Sequence, residues 1–373
     1  MGMFNWKKKD KEPKEITPGL GQIKNIVAIA SGKGGVGKST VTTNMALVLA
    51  AKGFTVGVID ADLYGPTQPG LLGNSEVPQS QGGYMLPIDQ HGVKFISMGA
   101  LNPTGGAMVV RAPIAIKAIQ QFLTGVLWGE LDFLLIDLPP GTGDIQLTLA
   151  QQARLSGAII VTTPQKVAVE IAKKGLLMFQ TVNVPILGIV ENMSGMVCAK
   201  CNEVTNVFGK GGGETLSEDM DVPFLGGVPL DPKIMMSGEE GIPLVLKEAE
   251  SLAKEAFINL ANKLVEGIIA CQAKNADIEP EKVKLADGNV DIQWKDGSFS
   301  KLSAVDLRLA CPCASCIDEN TGKPLLDPLS VSLDIIIQGQ RPVGRYGLAF
   351  NFSDGHNTGI YKLTKMKEMG KVT

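Results

Sequence analysis

Between residues 19 and 270, short apolar runs alternate with longer segments of mixed polarity. The apolar runs are nearly continuous and rich in Val and Ile, which indicates strands that are buried on both faces. They cover residues 23–30, 55–60, 93–99, 132–137, 158–163 and 186–190. The segments 112–128 and 166–182, which lie between them, repeat apolar residues at helical spacing. This alternation predicts an α/β domain over 19–270, with a mainly parallel sheet covered by helices.

The pattern changes after residue 270. Residues 271–282 are mostly polar and are interpreted as a linker. Short strands with Asp-Gly turns follow, which predicts a small β-rich domain over 283–366 and a tail at 367–373. Residues 1–18 contain a basic cluster with no apolar core behind it, so we expect a mobile tail and not a secretory signal.

Composition limits the classes of function. The chain has 373 residues, of which 44% are hydrophobic and 20% charged, and its net charge is −3. This mild acidity offers no basic surface for nucleic acid. No apolar run reaches membrane-spanning length. We therefore expect a cytoplasmic protein with reduced cysteines, no membrane span and no nucleic-acid partner.

The segment SGKGGVGKST, residues 31–40, lies between the first strand and a helix that Gly53 ends. It fits G-x-x-x-x-G-K-[ST] in the strand–loop–helix setting of a phosphate loop, which favours that interpretation over an ordinary glycine-rich turn. Inward-facing N–H groups would bind phosphates, Lys38 would reach the β- and γ-phosphates of ATP, and Ser39 would hold Mg²⁺. The predicted nucleotide-binding residues of this loop are Gly32, Lys33, Gly34, Gly35, Val36, Gly37, Lys38, Ser39 and Thr40.

Acidic residues end two of the predicted strands. Asp60 and Asp62 follow the strand 55–60, and Asp137 ends the strand 132–137. Ligands of parallel sheets bind at the carboxyl ends of the strands, so these residues are candidates for the same site. Asp137 fits the carboxylate that holds Mg²⁺, usually through water. One of the pair Asp60 and Asp62 could instead cap a turn.

The six cysteines form two clusters and a singleton, Cys271. Such clustering favours metal binding over a disulfide scaffold in this class of chain. Cys198 and Cys201, spaced C-x-x-C, supply two thiolates, whereas an iron–sulfur cluster or a structural zinc needs four ligands. A two-fold dimer would supply all four. Zinc shared across the dimer and a redox C-x-x-C remain alternatives.

The second cluster has the spacing C-x-C-x-x-C, at Cys311, Cys313 and Cys316. Three thiolates lack a fourth ligand, and His356 is one of only two histidines in the chain. The other, His91, lies in a turn-like segment and is expected to be a surface residue.

The phosphate loop resembles the deviant loop K-G-G-x-G-K-[ST] of one branch of P-loop NTPases, which includes MinD and ParA ATPases, nitrogenase iron proteins and Mrp-type iron–sulfur carriers. PPGTGD, VENMSG, VPLDPKI and FGKGGGETLSED are similar to segments of the Mrp-type carriers. MinD-type ATPases end in a basic amphipathic helix, and ParA-type ATPases need a basic surface. This sequence indicates neither feature. The Mrp-type carriers therefore fit best.

This resemblance implies an ATPase in which Lys33 reaches the partner's nucleotide across a homodimer and Asp62 orients the attacking water. It implies that Asn192 contacts adenine, with Pro229 and Asp231 nearby, although a buried strand-end polar cap is a rival interpretation of Asn192. It also implies that Cys198 and Cys201 share a [4Fe–4S] cluster across the dimer. The cluster would come from an upstream donor and pass to apo iron–sulfur proteins.

Residues 283–366 resemble the small N-terminal zinc-binding domain of γ-butyrobetaine hydroxylases. The resemblance implies a structural zinc on Cys311, Cys313, Cys316 and His356; a second iron–sulfur site is the rival. The sequence therefore predicts an ATP-dependent iron–sulfur cluster carrier. The alternatives are a nucleotide-switched client-binding scaffold with structural zinc only, and a MinD- or ParA-like positioning ATPase.

Overall fold

The computed structural model describes residues 19–62, 65–101, 112–141, 143–198, 201, 203–247, 250–318 and 321–370. The predicted tail at 1–18 and the end of the predicted C-terminal tail, 371–373, lie outside the described residues.

Strands and helices alternate over parts of the described chain, and several strands follow one another directly elsewhere. The strands are β1 Ile23–Ser31, β2 Val56–Asp60, β3 Ser80–Gln81, β4 Tyr84–Met85, β5 Ile88–Gln90, β6 Val93–Ser97, β7 Leu131–Asp137, β8 Gly157–Thr162, β9 Ile186–Val197, β10 Val204–Thr205, β11 Phe224–Leu230, β12 Pro280–Ala286, β13 Asn289–Trp294, β14 Phe299–Leu302, β15 Ile337–Val343, β16 Gly347–Phe352 and β17 Ile360–Lys362. The helices are α1 Lys38–Ala51, α2 Gln68–Leu72, α3 Ala112–Thr124, α4 Asp144–Gln152, α5 Lys166–Thr181, α6 Gly212–Asp219, α7 Pro232–Glu239, α8 Leu252–Asn275, α9 Ala304–Leu309 and α10 Leu363–Met369.

The large sheet confirms the predicted α/β architecture. β1 lies between β7 and β8, and β2, β6, β9 and β11 extend the parallel sheet on either side. Of the strands that the structure describes, β5 and β10 pair antiparallel with it. The parallel register aligns Ile29 with Asp137 and Asp60 with Asp137, so the carboxyl ends of β1, β2 and β7 meet at one edge.

Two apolar cores lie on the two faces of this sheet. Successive residues of β1 alternate between them: Ala28 faces one core and Ile29 the other. Helices α3, α4 and α5 cover the first face, and α1 and α8 cover the second. Burial on both faces explains why the strands read as continuous apolar runs and not as alternating ones.

The C-terminal part of the chain is small and β-rich, as expected. It contains two three-stranded antiparallel sheets, β12–β13–β14 and β15–β16–β17, around a core that includes Trp294 and Phe350. Arg345, between β15 and β16, donates from Nη2 to the carbonyl oxygen of Lys24 at 2.8 Å. Lys24 lies at the amino end of β1, so this contact is at the opposite end of that strand from the phosphate loop.

The structure differs from the expected linker and tail. Helix α8 continues to Asn275 and β12 begins at Pro280, so most of 271–282 is helix or strand. Polar residues such as Gln and Lys are good helix formers, and the helical segment contains no proline to stop it. Residues 367–369 belong to α10, where Lys367 pairs with Asp296 at 2.5 Å.

Among the helices of the described residues, none combines the length and apolar content that a bilayer crossing requires.

Candidate functional site

The phosphate loop lines an open cleft of about 270 Å³ at the carboxyl edge of the sheet. The loop ends at Gly37, which has a φ of 80°, and α1 begins at the next residue. A Cβ at Gly37 would lie 2.1 Å from Nδ2 of Asn192, and one at Gly32 would lie 2.6 Å from the backbone of Ile171. Both positions therefore require glycine, Gly37 for conformation and space and Gly32 for space.

Lys38 does not point into open solvent. Its Nζ lies 2.5 Å from Oδ1 of Asp137, and the two side chains are only 6% and 0% exposed. Thr42 Oγ1 lies 3.3 Å from the same carboxylate oxygen. A phosphate in the cleft would attract the same ammonium, so an incoming nucleotide would compete with Asp137 for Lys38.

Asp60 orders the loop that leads to the cleft. Its Oδ2 accepts hydrogen bonds from the backbone N–H groups of Thr67 and Gln68 and from Ser97 Oγ, at 3.0, 3.1 and 2.9 Å. Its Oδ1 accepts from the N–H of Asp62 at 3.2 Å. Burial, together with the negative charge of Asp137, raises the pKa of Asp60 to about 7. Asp60 is fully buried, so it shapes the site from beneath and does not line the cleft.

Asp62 and Lys33 both line the cleft. Asp62 Oδ1 accepts a hydrogen bond from the N–H of Gly65 at 3.2 Å. Lys33 Nζ donates to Oε1 of Gln165, the residue before α5, at 3.2 Å. Among the described residues, the first lysine of the loop is thus held by the amide just before α5.

The residues expected on the adenine side lie on neighbouring strands, because Asn192 of β9 pairs with Val228 of β11, the residue before Pro229. Asn192 is 7% exposed and donates from Nδ2 to the carbonyl oxygen of Val36 at 2.8 Å. Pro229 lies in β11, and Asp231 caps α7 by accepting from the N–H of Lys233 at 2.9 Å. Neither Pro229 nor Asp231 is among the described residues that line the cleft.

Cys198 directly follows β9, and Cys201 is exposed. The N–H of Cys198 donates to the carbonyl oxygen of Glu203 at 2.9 Å, which holds the base of the cysteine loop. Because β9 runs parallel to β1 across β8, its cysteine end and the phosphate loop are at the same edge of the sheet. Residues 199, 200 and 202 of this loop lie outside the described residues.

The second cysteine cluster is assembled around a histidine. The ligand atoms of Cys311, Cys313, Cys316 and His356 all lie within 4.8 Å of one another. His356 Nε2 is 3.1, 3.5 and 3.9 Å from the three sulfur atoms, taken in chain order. A nitrogen and a sulfur bound to one tetrahedral ion lie about 3.5 Å apart, so the four side chains fit a single metal ion.

The surroundings of this cluster differ from thiol to thiol. Burial raises the pKa of Cys311 to about 12. Burial also opposes ionisation of Cys313, but hydrogen bonds from Ser315 and Thr358 outweigh it and lower the pKa of Cys313 to about 5. A bound cation would favour the thiolate form of every ligand, including Cys311.

Comparison with known proteins shows the family of the larger part of the chain. Residues 22–265 match the family described as NUBPL iron-transfer P-loop NTPase. The chain belongs to this family. Residues 281–367 match a second family, described as γ-butyrobetaine hydroxylase-like, N-terminal.

Relatives and a solved structure agree with the first match. The iron-sulfur cluster carrier protein of Escherichia coli K12 is 47% identical over 249 residues, 66% of this chain and 68% of its own length. The iron-sulfur cluster carrier protein of Methanocaldococcus jannaschii is 46% identical over 258 residues, 68% of this chain and 88% of its own length. A nucleotide-binding protein from Archaeoglobus fulgidus, solved in complex with ADP, has a TM-score of 0.55 and 36% identity, over 62% of this chain and 91% of that one.

Two residues of this member of the NUBPL iron-transfer P-loop NTPases were not among the sequence candidates. Gln68 is fully buried and contacts Asp137. Arg308 donates from Nη1 to Sγ of Cys316 at 3.3 Å and from Nε to Asp354 at 2.7 Å. Arg308 could have been suspected from the sequence, because it lies three residues before Cys311. The sequence gives no such sign for Gln68, because its partner Asp137 is 69 residues away.

Proposed function

We propose that this chain is an ATP-dependent iron–sulfur cluster carrier. Two subunits would bind one [4Fe–4S] cluster as cargo on Cys198 and Cys201 of each, receive it from an upstream donor and pass it to apo-proteins. The names of the relatives support the carrier role. Two cysteines per chain support a cluster shared by a homodimer, because a [4Fe–4S] cluster takes four thiolates.

The main support for the proposal is that β9 links the phosphate loop to the cysteine site. Asn192, within this strand, contacts the phosphate loop at Val36, and the same strand ends at Val197, immediately before Cys198. A change in the loop on nucleotide binding would therefore reach the cysteine site along β9, whose register shifts between Asn192 and Met196. The adenine contact expected for Asn192 would use the same amide that donates to Val36, so the base and the phosphate loop would both be linked to this strand.

Hydrolysis would use the residues that line the cleft and those beneath it. Lys38 would leave Asp137 for the phosphates, and Ser39 and Asp137 would hold Mg²⁺. When bound, Mg²⁺ would neutralise charge on the phosphate oxygens. Asp62 would orient the attacking water, and Lys33 would release Gln165 to reach the partner's nucleotide in a deviant phosphate loop.

Anaerobic reconstitution with iron and sulfide tests the cargo. We expect the full chain to gain broad visible absorbance towards the blue end of the spectrum, and to lose it when an apo-ferredoxin is added. Cys198→Ser should lose nearly all of this absorbance, because each dimer would keep only two thiolates. Iron content per chain and the mass of the reconstituted species are the companion measurements.

Cys271→Ser is the matched control, because Cys271 lies in α8 and belongs to neither cysteine cluster. It should acquire the cluster as the wild type does. A Cys198→Ser protein that still takes up and transfers iron would contradict the proposal, and a wild type that takes up zinc but no iron would favour a nucleotide-switched scaffold.

We also propose that Cys311, Cys313, Cys316 and His356 hold a structural zinc. The support is the closed set of four ligand atoms, which leaves no coordination position for a substrate or water. Arg308 adds positive charge beside Cys316, to which it donates a hydrogen bond. The zinc would hold α9 against the segment after β16.

Cys311→Ser should release the zinc and unfold residues 283–366, because metal binding contributes on the order of 10 kcal/mol to the folding of such small sites. Zinc content and thermal unfolding check this. Iron uptake at Cys198 should be unchanged. Loss of iron instead of zinc in Cys311→Ser would mean that the two metals had been assigned to the wrong clusters.

A further inference from the structure

Gln68, the first residue of α2, joins three elements of the nucleotide site. It is fully buried, and its Nε2 donates to Oδ2 of Asp137 at 3.1 Å and to the carbonyl oxygen of Ser39 at 3.2 Å. Its Oε1 accepts from Oγ1 of Thr43 at 2.7 Å. One amide thus connects the end of β7 with two residues of α1.

The orientation of this amide is determined by its neighbours. With the amide reversed, Oε1 would face the Asp137 carboxylate and the Ser39 carbonyl, which are both acceptors. The backbone N–H of Gln68 donates to Oδ2 of Asp60 at 3.1 Å, so the main chain is held as well. Gln68 has little freedom to move while these contacts last.

The two oxygens of Asp137 have different partners. Oδ1 receives the Lys38 ammonium and lies 3.3 Å from Thr42 Oγ1, whereas Oδ2 receives Gln68. When Lys38 moves to a phosphate, Oδ1 loses its strongest partner and Oδ2 keeps its own. The carboxylate then presents Oδ1 towards the loop in a fixed orientation.

We propose that Gln68 is a positioning residue that holds Oδ2 of Asp137, so that Oδ1 is presented to the metal–nucleotide complex. Through its backbone bond to Asp60, which also binds the N–H of Asp62, it ties this carboxylate to the loop of the expected catalytic aspartate. The inference rests on the proposed binding of Mg²⁺ and nucleotide. On this inference, Gln68 favours binding of the metal-bound nucleotide although its side chain does not line the cleft.

The test is the affinity for ADP with and without Mg²⁺, measured by calorimetry on the full chain. Gln68→Met keeps the length of the side chain but removes both N–H donors. Hydrogen bonds to charged groups contribute about 1.5–3 kcal/mol, so we expect the strengthening of ADP binding by Mg²⁺ to fall by roughly 10-fold or more. Metal-free ADP affinity should stay within about twofold of the wild type, because the phosphate loop is untouched.

Thr43→Val is the matched control. It removes the hydroxyl that lies 2.7 Å from Oε1 of Gln68 and 2.9 Å from the carbonyl oxygen of Ser39, and it leaves the two Nε2 contacts in place. It should lower the melting temperature much as Gln68→Met does and leave the effect of Mg²⁺ unchanged. If Gln68→Met does not fold, Gln68→Leu is measured in its place.

Three results with the variants overturn the inference: an unchanged Mg²⁺ effect in Gln68→Met, an equal fall of ADP affinity with and without Mg²⁺ in that variant, and an equal loss of the Mg²⁺ effect in Thr43→Val. The readout needs no hydrolysis and no cluster, so the inference can hold even if the carrier proposal fails. A wild type that binds ADP no more tightly with Mg²⁺ would overturn the inference and the proposed Mg²⁺ site, but not the cargo proposal.

Discussion

Lys38→Ala is expected to reduce ATP hydrolysis to the background level. Lys38 would be the charge that holds the β- and γ-phosphates, and the nearest alternative, Lys33, points to Gln165 in this structure. Steady-state phosphate release from the purified protein measures the effect. Turnover at the wild-type rate would show that this loop is not the hydrolytic site.

The same variant should also lose stability, which has to be separated from the loss of activity. Lys38 neutralises Asp137, which is fully buried, and breaking such a pair from one side costs about 3–5 kcal/mol. In Lys38→Ala/Asp137→Asn no carboxylate is left unpaired at position 137, so most of the stability should return. Hydrolysis should not return, because neither the phosphate lysine nor the carboxylate for Mg²⁺ is restored.

Lys52→Ala controls for the loss of one lysine from this helix. Lys52 is exposed at the C-terminal end of α1. Its removal should change neither hydrolysis nor the melting temperature. A double variant that melts like the wild type but hydrolyses no ATP would establish that Lys38 and Asp137 act in the chemistry and not only in the fold.

Lys33→Ala is expected to bind nucleotide and hydrolyse it about 10³-fold more slowly, as when an arginine finger is removed. Binding should survive because Lys38 and the backbone of the loop remain in each subunit. Nucleotide affinity and single-turnover hydrolysis, measured on the same preparation, separate the two effects.

Mixed dimers decide whether Lys33 acts across the interface. Lys33→Ala subunits are combined with Asp62→Ala subunits. If Lys33 acts within its own subunit, every site carries a defect. If it acts on the partner's site, one site of each heterodimer has both residues intact, and random exchange should restore roughly a quarter of the wild-type activity.

Gln165→Ala is the control for the contact seen within the chain. It removes the hydrogen bond that Lys33 makes at 3.2 Å and leaves the lysine itself. Hydrolysis should stay near the wild-type rate if Lys33 works on the partner's nucleotide. No recovery on mixing, with subunit exchange verified by mass, would mean that Lys33 does not act in trans.

The parts of this protein that depend on local chemistry could be predicted from the sequence. The phosphate loop was recognisable because a strand, glycines with left-handed backbone and a helix N-terminus follow one another within about twenty residues. The strands of the large sheet were recognisable because burial on both faces leaves continuous apolar runs. The role of His356 as fourth ligand beside the three cysteines was expected only through a family resemblance, since the histidine is 40 residues after Cys316.

Other contacts in the site depend on which strand ends lie next to each other in the sheet, and this order could not be predicted from the sequence. Lys38 and Asp137 are 99 residues apart, and their contact exists because β1 and β7 pair in parallel at one register. The contact between the Asn192 amide and the carbonyl oxygen of Val36 likewise joins residues that are 156 positions apart, and the adenine contact expected of Asn192 stays a prediction.

The sequence alone determined the fold class, the phosphate loop and the two clustered sets of thiols, because each is encoded by residues close together in the chain. Only the tertiary structure decided that Lys38 is paired with Asp137, that Gln68 holds the other oxygen of that carboxylate, and that α8 continues past residue 270. The first two depend on strand pairing over long sequence separations. The continuation of α8 has a different reason. The polar segment after residue 270 is equally compatible with a linker and with the exposed end of a helix, so its conformation follows from the helix that precedes it.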